Sequence, residues 1–216
     1  MYAGMDRSKV PELKAADEKF ISDVTAHFGS REKAAARWVN QAYAFYHQDQ
    51  LGMAMRRFNQ AWLLNPDNPE IYAGFASILH EQGKPCDAMK MMEKALALNP
   101  PTFQGIYPDA GRIVTLCAIS DKTLSPSAKG ELIARSEALY EKAEKIEPDK
   151  RYIYSSWATA YYWRGQYSDA WRMVAKARAQ GIGNGAVVGL PSGAVDKPSE
   201  HFLNMLRAKM PEPAGQ

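Results

Sequence analysis

Chemistry in a chain of this size would have to come from its histidines, cysteines and acids. There are four histidines, His27, His47, His80 and His201, and two cysteines, Cys86 and Cys117. None of the histidines stands in a His-Glu-x-x-His or Cys/His spacing, which would place two metal donors on one helical face. No Gly-x-Ser-x-Gly elbow and no phosphate-cradling Gly-x-x-x-x-Gly-Lys loop occurs. Acidic pairs such as Asp17-Glu18 fall on polar helical faces. The residues therefore predict no catalytic group, no metal site and no cofactor, and the chain is not expected to be an enzyme. His47 and His80 recur at near-equivalent places, one helix apart, which suits the polar lining of a groove.

The elements that would position such a groove repeat along the chain. Ala42 returns as Ala76, Ala54 as Ala88 and Ala61 as Ala95, each at an offset of 34, and Leu64-Asn65-Pro66 returns as Leu98-Asn99-Pro100. Bulky positions keep their character: Trp38 and Tyr72, Phe45 and Leu79, Phe58 and Met92. A period of 34 with small residues at fixed places and a closing Pro is that of a helix-turn-helix repeat. A further set, Tyr154, Ala158, Tyr161, Ala170 and Ala177, follows Tyr72, Ala76, Leu79, Ala88 and Ala95 at an offset of 82, which is two periods and 14 residues more. Ala110 and Ile113 keep the register before these extra residues, and Tyr140, Ala143 and Pro148 keep it after. The insertion is thus expected near 118–131, with both helices of that unit lengthened.

This pattern resembles the tetratricopeptide repeat. The resemblance implies an all-α, right-handed α-α superhelix of about four helix-turn-helix units with capping helices at both ends. Residues 1–10 read as a flexible tether and 11–34 as the N-terminal capping helix. The solenoid covers 35–180, in units of about 35–68, 69–102, 103–150 with the insertion, and 151–180. Residues 181–216 hold a Gly-rich loop, a C-terminal capping helix carrying Phe202, Leu203, Leu206 and Met210, and a disordered tail. The glycines of 181–185 read as a helix stop.

In this family the first helices of successive units line a concave, partner-binding groove. Carried over, its facing positions are Ala36, Val39, Tyr43, Tyr46 and His47, then Glu70, Ala73, Ser77, His80 and Glu81. The third unit gives Gln104, Tyr107, Gly111, Val114 and Thr115, and the fourth Tyr152, Ser155, Thr159, Tyr162 and Trp163. Tyr and Trp supply rigid contact area to a partner. The expected groove is aromatic with few charges, and Tyr43, Tyr46, His47, His80, Tyr107, Tyr152, Thr159, Tyr162 and Trp163 are its binding candidates. The alternative for each aromatic is packing against an end helix. Val39 and Tyr43 stand where the family's carboxylate clamp has basic and amide groups, so an extended or helical peptide with apolar anchors fits better. In such a stack the start of a unit's second helix lies beside the end of the next unit's first. Cys86 and Cys117 occupy those places, which leaves open a disulfide or two separate buried thiols.

The stretch from Ala35 to Leu64 also resembles small bacterial repeat lipoproteins of the cell envelope. That implies a lipid-anchored adaptor in the periplasm or at the outer membrane, with a cytoplasmic chaperone or regulator and a self-assembling homodimer as the alternatives. Composition sets outer bounds. The 27 basic and 24 acidic residues are mixed along the chain, giving a net charge of +3 without the basic cluster of a nucleic-acid binder. No run reaches the roughly 18 apolar residues that span a bilayer, and Met1-Tyr2-Ala3-Gly4-Met5 lacks the apolar core of a secretory leader.

Overall fold

The computed structural model describes residues 6–180 and 198–214. Among them there are ten α-helices and no strand. Helix α1 (Pro11–Phe28) leads into four antiparallel pairs: α2 (Arg31–His47) with α3 (Leu51–Leu64), α4 (Pro69–Glu81) with α5 (Pro85–Ala97), α6 (Ile106–Ser120) with α7 (Pro126–Ile146), and α8 (Lys150–Trp163) with α9 (Tyr167–Ala179). Helix α10 (Glu200–Arg207) closes the chain. The expected all-α solenoid is what the chain forms. The Gly-rich run at 181–185 lies outside the described residues, as do the tether's first five residues and the last two of the tail.

The helix boundaries follow from local chemistry. Ser30 accepts from the N–H of Lys33 at 3.1 Å and starts α2, and Asn68 accepts from Glu70 at 2.9 Å and starts α4. Pro69, Pro85 and Pro126 each open a helix where a missing N–H costs nothing. Inside each of units two and four, the two helices are joined through a glycine at positive φ, Gly83 at 70° and Gly165 at 74°.

Close helix approach comes from the recurring alanines: Ala42, Ala54, Ala61, Ala76, Ala88, Ala95, Ala158 and Ala170 are fully buried. At one place on the second helices the side chain is large instead, and glycine makes room for it. The Phe58 ring fills the space over Gly74 of the next unit, and the Tyr140 ring fills that over Gly111 of its own unit. The cores form between units, as a stack of repeats requires: one runs from α2 and α3 to α4, the next through α4, α5 and α6, and the third from Tyr107 of α6 through α7, α8 and α9 to α10. At the N-terminal end, Phe20 and Phe28 of α1 set their edges against Trp38 at 5.5 and 5.7 Å. Arg31 donates to the carbonyls of Leu63 and Leu64, closing the end of α3.

The 14 extra residues are almost all helical. Shifting the end of α4, Glu81, by one period gives 115, yet α6 runs on to Ser120. Shifting the start of α9, Tyr167, back by one period gives 133, yet α7 begins at Pro126. The rest lengthens the turn between them. At about 1.5 Å per residue the third hairpin projects some 10 Å past its neighbours.

The described residues next to both ends make contacts with the helices. Arg7–Lys9 form a turn of 3-10 helix, and the Arg7 guanidinium holds Asp17 of α1 at 2.6 Å. After α10, the Met210 carbonyl accepts from the Trp171 indole at 3.1 Å, and Glu212 pairs with Arg178 and Arg207.

Candidate functional site

Among the first helices of the four units, α2 is tied to α4 and α6 to α8 through polar and aromatic groups. The Tyr43 hydroxyl donates to the Glu70 carbonyl at 3.3 Å, and its ring stands edge-on to Phe58. One turn on, Tyr46 donates to the Glu81 carboxylate at 3.0 Å. These two bonds join α2 to α4. On α6, Asp109 accepts from Arg112 at 2.9 Å and from the hydroxyl of Tyr152 at 2.5 Å, joining α6 to α8. Tyr152 also lies over Gly105, where any Cβ would come within 2.7 Å of its ring. His47 is exposed beside the rings of Tyr43 and Tyr46.

The charges of Asp109 and Arg112 on α6 act on groups of α2 and α4. Burial pushes the Tyr43 and Tyr46 phenols well up, helped by Glu70 at the first and Glu81 at the second, so both remain neutral donors. Burial raises the Glu70 carboxyl as well. His80 is pushed down by burial and then by the Arg112 charge, which favours a neutral imidazole. Burial works against the Arg112 cation, but Asp109 and the surrounding tyrosines more than offset it. Arg112 is thus a fixed cation among neutral hydroxyls, held in register by Asp109.

The third unit departs from the carried-over positions. Tyr107 is 6% exposed, inside the core that contains Ile153 and Trp157 and under the Lys142 ammonium, 4.5 Å from its ring centre. Gly111 lies beneath Tyr140, Val114 is buried, and the buried Thr115 hydroxyl bonds Ser136 at 2.8 Å. Helix α6 packs on α5, α7 and α8 and begins three residues later than a shift of α4 predicts. Its free stripe is Asp109, Arg112, Leu116 and Ile119. This face of α6 therefore carries the Asp109–Arg112 ion pair, where an aromatic Tyr107 with few charges was expected; Tyr107 lies in the core. The signal was present in the sequence: Asp109 and Arg112, one turn apart, are the only charged residues in α6.

In the fourth unit, Thr159 donates to the Ser155 carbonyl of its own helix at 3.0 Å. Tyr162 packs its ring against Phe202 of α10 at 5.7 Å and Tyr167 at 5.8 Å, so the C-terminal helix claims it. Trp163 remains half-exposed. On another edge, Cys86 at the start of α5 and Cys117 near the end of α6 are joined by a disulfide, with their Cα atoms 4.6 Å apart. No group of three or more His, Cys, Asp or Glu side chains that could hold a metal occurs among the described residues.

Residues 45–104 match the family model of the tetratricopeptide repeat. Among solved structures, a thermophilic tetratricopeptide-repeat protein of Thermus thermophilus is 16% identical, over 67% of this chain and 73% of that one, with a TM-score of 0.58. MamA is 18% identical over 81% of this chain and 92% of its own, with a TM-score of 0.49. No curated protein matches the chain in sequence. With the 34-residue period, the paired helices and the matched segment in agreement, residues 45–104 form a tetratricopeptide-repeat segment, and the described chain has the all-α fold of such repeats.

Proposed function

We propose that the chain is a non-enzymatic scaffold that binds an extended or helical protein segment along the face formed by α2, α4, α6 and α8. The observation that carries this reading is the set Tyr43, Tyr46, His80, Arg112, Asp109 and Tyr152 on the alternate helices α2, α4, α6 and α8, hydrogen-bonded between α2 and α4 and between α6 and α8, with the Arg112 charge acting on His80 of α4. Rigid phenol rings supply contact area, their oxygens can accept from a docked segment, and the held Arg112 guanidinium suits that segment's acceptors. We further propose an oxidising compartment, in keeping with the resemblance to lipoproteins of the bacterial cell envelope. The Cys86–Cys117 disulfide supports it, since such bonds persist outside the reducing cytosol.

The test compares proteins captured from a native envelope extract by wild type, by Tyr46→Ala/Arg112→Ala, and by Lys129→Ala on exposed α7. Loss of a defined partner in the groove variant alone is the expected result. Equal capture by all three overturns the groove reading.

A further inference from the structure

The Cys86–Cys117 bond lies where the lengthened third hairpin leaves the stack. Cys86 is in the first turn of α5, and Cys117 is two residues past 115, where α6 would end if it matched α4. The Cys117 carbonyl accepts from the N–H of Asp121 at 3.0 Å, which closes the last turn of α6. The disulfide therefore fastens that turn to the second unit.

Beyond it, little else holds the hairpin to its neighbours. From Ala118 through Arg135 only Ala118 is buried, and α7 has no buried residue before Ser136. The hydrogen bonds there stay within the hairpin. Asp121 accepts from the Thr123 N–H at 2.9 Å, Ser125 from the Ala128 N–H at 3.2 Å, and Glu131 from the Ser127 hydroxyl at 3.3 Å. A further tie to α5 is the exposed pair of Arg135 with Glu93, and exposed pairs contribute little. A segment with so few buried apolar contacts opens at low free energy once its covalent tie is gone. Packing between α4, α5 and α6 rests separately on Ala76, Ala88, Ala95 and Ala110, in the core those helices share.

We propose that Cys86–Cys117 is a thiol–disulfide exchange site, at which a dithiol reductant releases the third hairpin from α5 while the stack persists. The two sulfurs differ in access: Cys86 is half-buried, and Cys117 is 2% exposed. One thiolate of the reductant attacks the Cys86 Sγ, the S–S bond breaks, and Cys117 leaves as a thiolate that takes up a proton. The second thiolate then attacks the reductant's sulfur in the mixed disulfide and expels Cys86 as a thiolate. The protein's disulfide has gained two electrons, and the reductant departs as a disulfide. The N-terminus of α5 stabilises the Cys86 thiolate, which makes it a good leaving group. This inference does not depend on the Tyr46 and Arg112 face, and either can fail without the other.

The test follows amide exchange of the full chain by mass spectrometry at short labelling times, with dithiothreitol as the dithiol. Reduction of wild type is expected to speed exchange over 117–133 about tenfold and to leave α4 and α8 protected. Reoxidation should restore the slow exchange. Cys86→Ser/Cys117→Ser is expected to exchange like reduced wild type, with or without dithiothreitol. Three results would each overturn the proposal: a native disulfide that dithiothreitol does not open, exchange over 117–133 unmoved by reduction, or exchange that rises equally across α4, α6, α7 and α8. Should the double variant fail to fold, the reduced and reoxidised wild type decide.

Discussion

The carboxylate of Glu147, in the junction between α7 and α8, accepts a hydrogen bond from the backbone N–H of Tyr107 at 3.3 Å. Tyr107 is in the first turn of α6, whose N-cap is Gly105, a residue with no side chain to serve as a cap. Glu147 supplies that cap from forty residues away and ties the helix bearing Asp109 and Arg112 to the fourth unit. The carboxylate is almost fully buried. Burial raises its pKa from 4.5 to about 7, more than the bonds from α6 lower it, and Asp109 and Asp149 add to the rise.

A pH dependence follows, with a definite sign. Between 4.5 and about 7 the folded chain holds a proton on Glu147 that the unfolded chain has released. Stability from this group is therefore present below 4.5 and lost as pH rises through 7, by on the order of 3 kcal/mol. His80, pushed down from 6.5, works in the opposite direction, its contribution growing as pH rises through the same window. The difference between wild type and Glu147→Gln cancels the His80 part. Urea midpoints at pH 5 and 8 are expected to show Glu147→Gln losing less stability with rising pH than wild type. Parallel profiles would refute the assignment.

Gly74 offers a packing test. A Cβ there would lie 2.1 Å from Cζ of Phe58, whose ring is fully buried between Tyr43 and Phe75 and has nowhere to swing. Gly74→Ala is expected to destabilise by about 1–3 kcal/mol despite the better helix propensity of Ala. Adding Phe58→Leu should recover part of the loss, and the thermal midpoints of the two variants measure it.

The solenoid was legible because its rule is local: small residues at one spacing bring helices together wherever they recur, as Ala42, Ala76 and Ala158 do. The 14-residue offset likewise located the insertion, because the alanines on either side kept their own registers. The face proposed for binding was less legible. Its third-unit residues depend on how α6 rotates once it is enclosed by α5, α7 and α8, and that is a property of three neighbours, absent from a period counted along one chain. So Tyr107 went to the core and Asp109 and Arg112 to the free stripe. The Glu147 cap, forty residues from its helix, leaves no trace in local spacing at all.

The Cys86–Cys117 bond closes a chain separation of 31 residues between the second and third units. Loop-closure entropy assigns it about 4 kcal/mol against the reduced unfolded chain. Cys86→Ala/Cys117→Ala is expected to lower unfolding free energy by an amount of that order. Reductant should move the wild-type urea midpoint toward the variant's and leave the variant's unchanged. A wild type indifferent to reductant would mean that the bond contributes nothing to the stack.

Glu137 of α7 and Arg164 at the end of α8 make the last case. One carboxylate oxygen of Glu137 accepts from the Trp157 indole at 3.0 Å and from the Tyr161 hydroxyl at 2.9 Å. The other pairs with Arg164 at 2.5 Å, and the guanidinium lies 4.5 Å from the Tyr161 ring centre, at the end of a stack formed by Tyr140, Trp157 and Tyr161. The Arg164 side chain is only 6% exposed, so its charge depends on Glu137 and the ring face in place of water. Removing Glu137 leaves a buried cation and two buried donors unpaired, and Glu137→Ala is expected to cost about 3–5 kcal/mol. Arg164→Met keeps much of the volume and leaves a carboxylate that is still partly solvated and still bonded to Trp157 and Tyr161, so its cost is expected to be smaller, about 1–3 kcal/mol. In the double variant the loss should fall short of the two single losses added together, because the unpaired cation disappears along with its partner. Urea unfolding of the four proteins measures this coupling, and strict additivity would show that the pair does not hold α7 to α8.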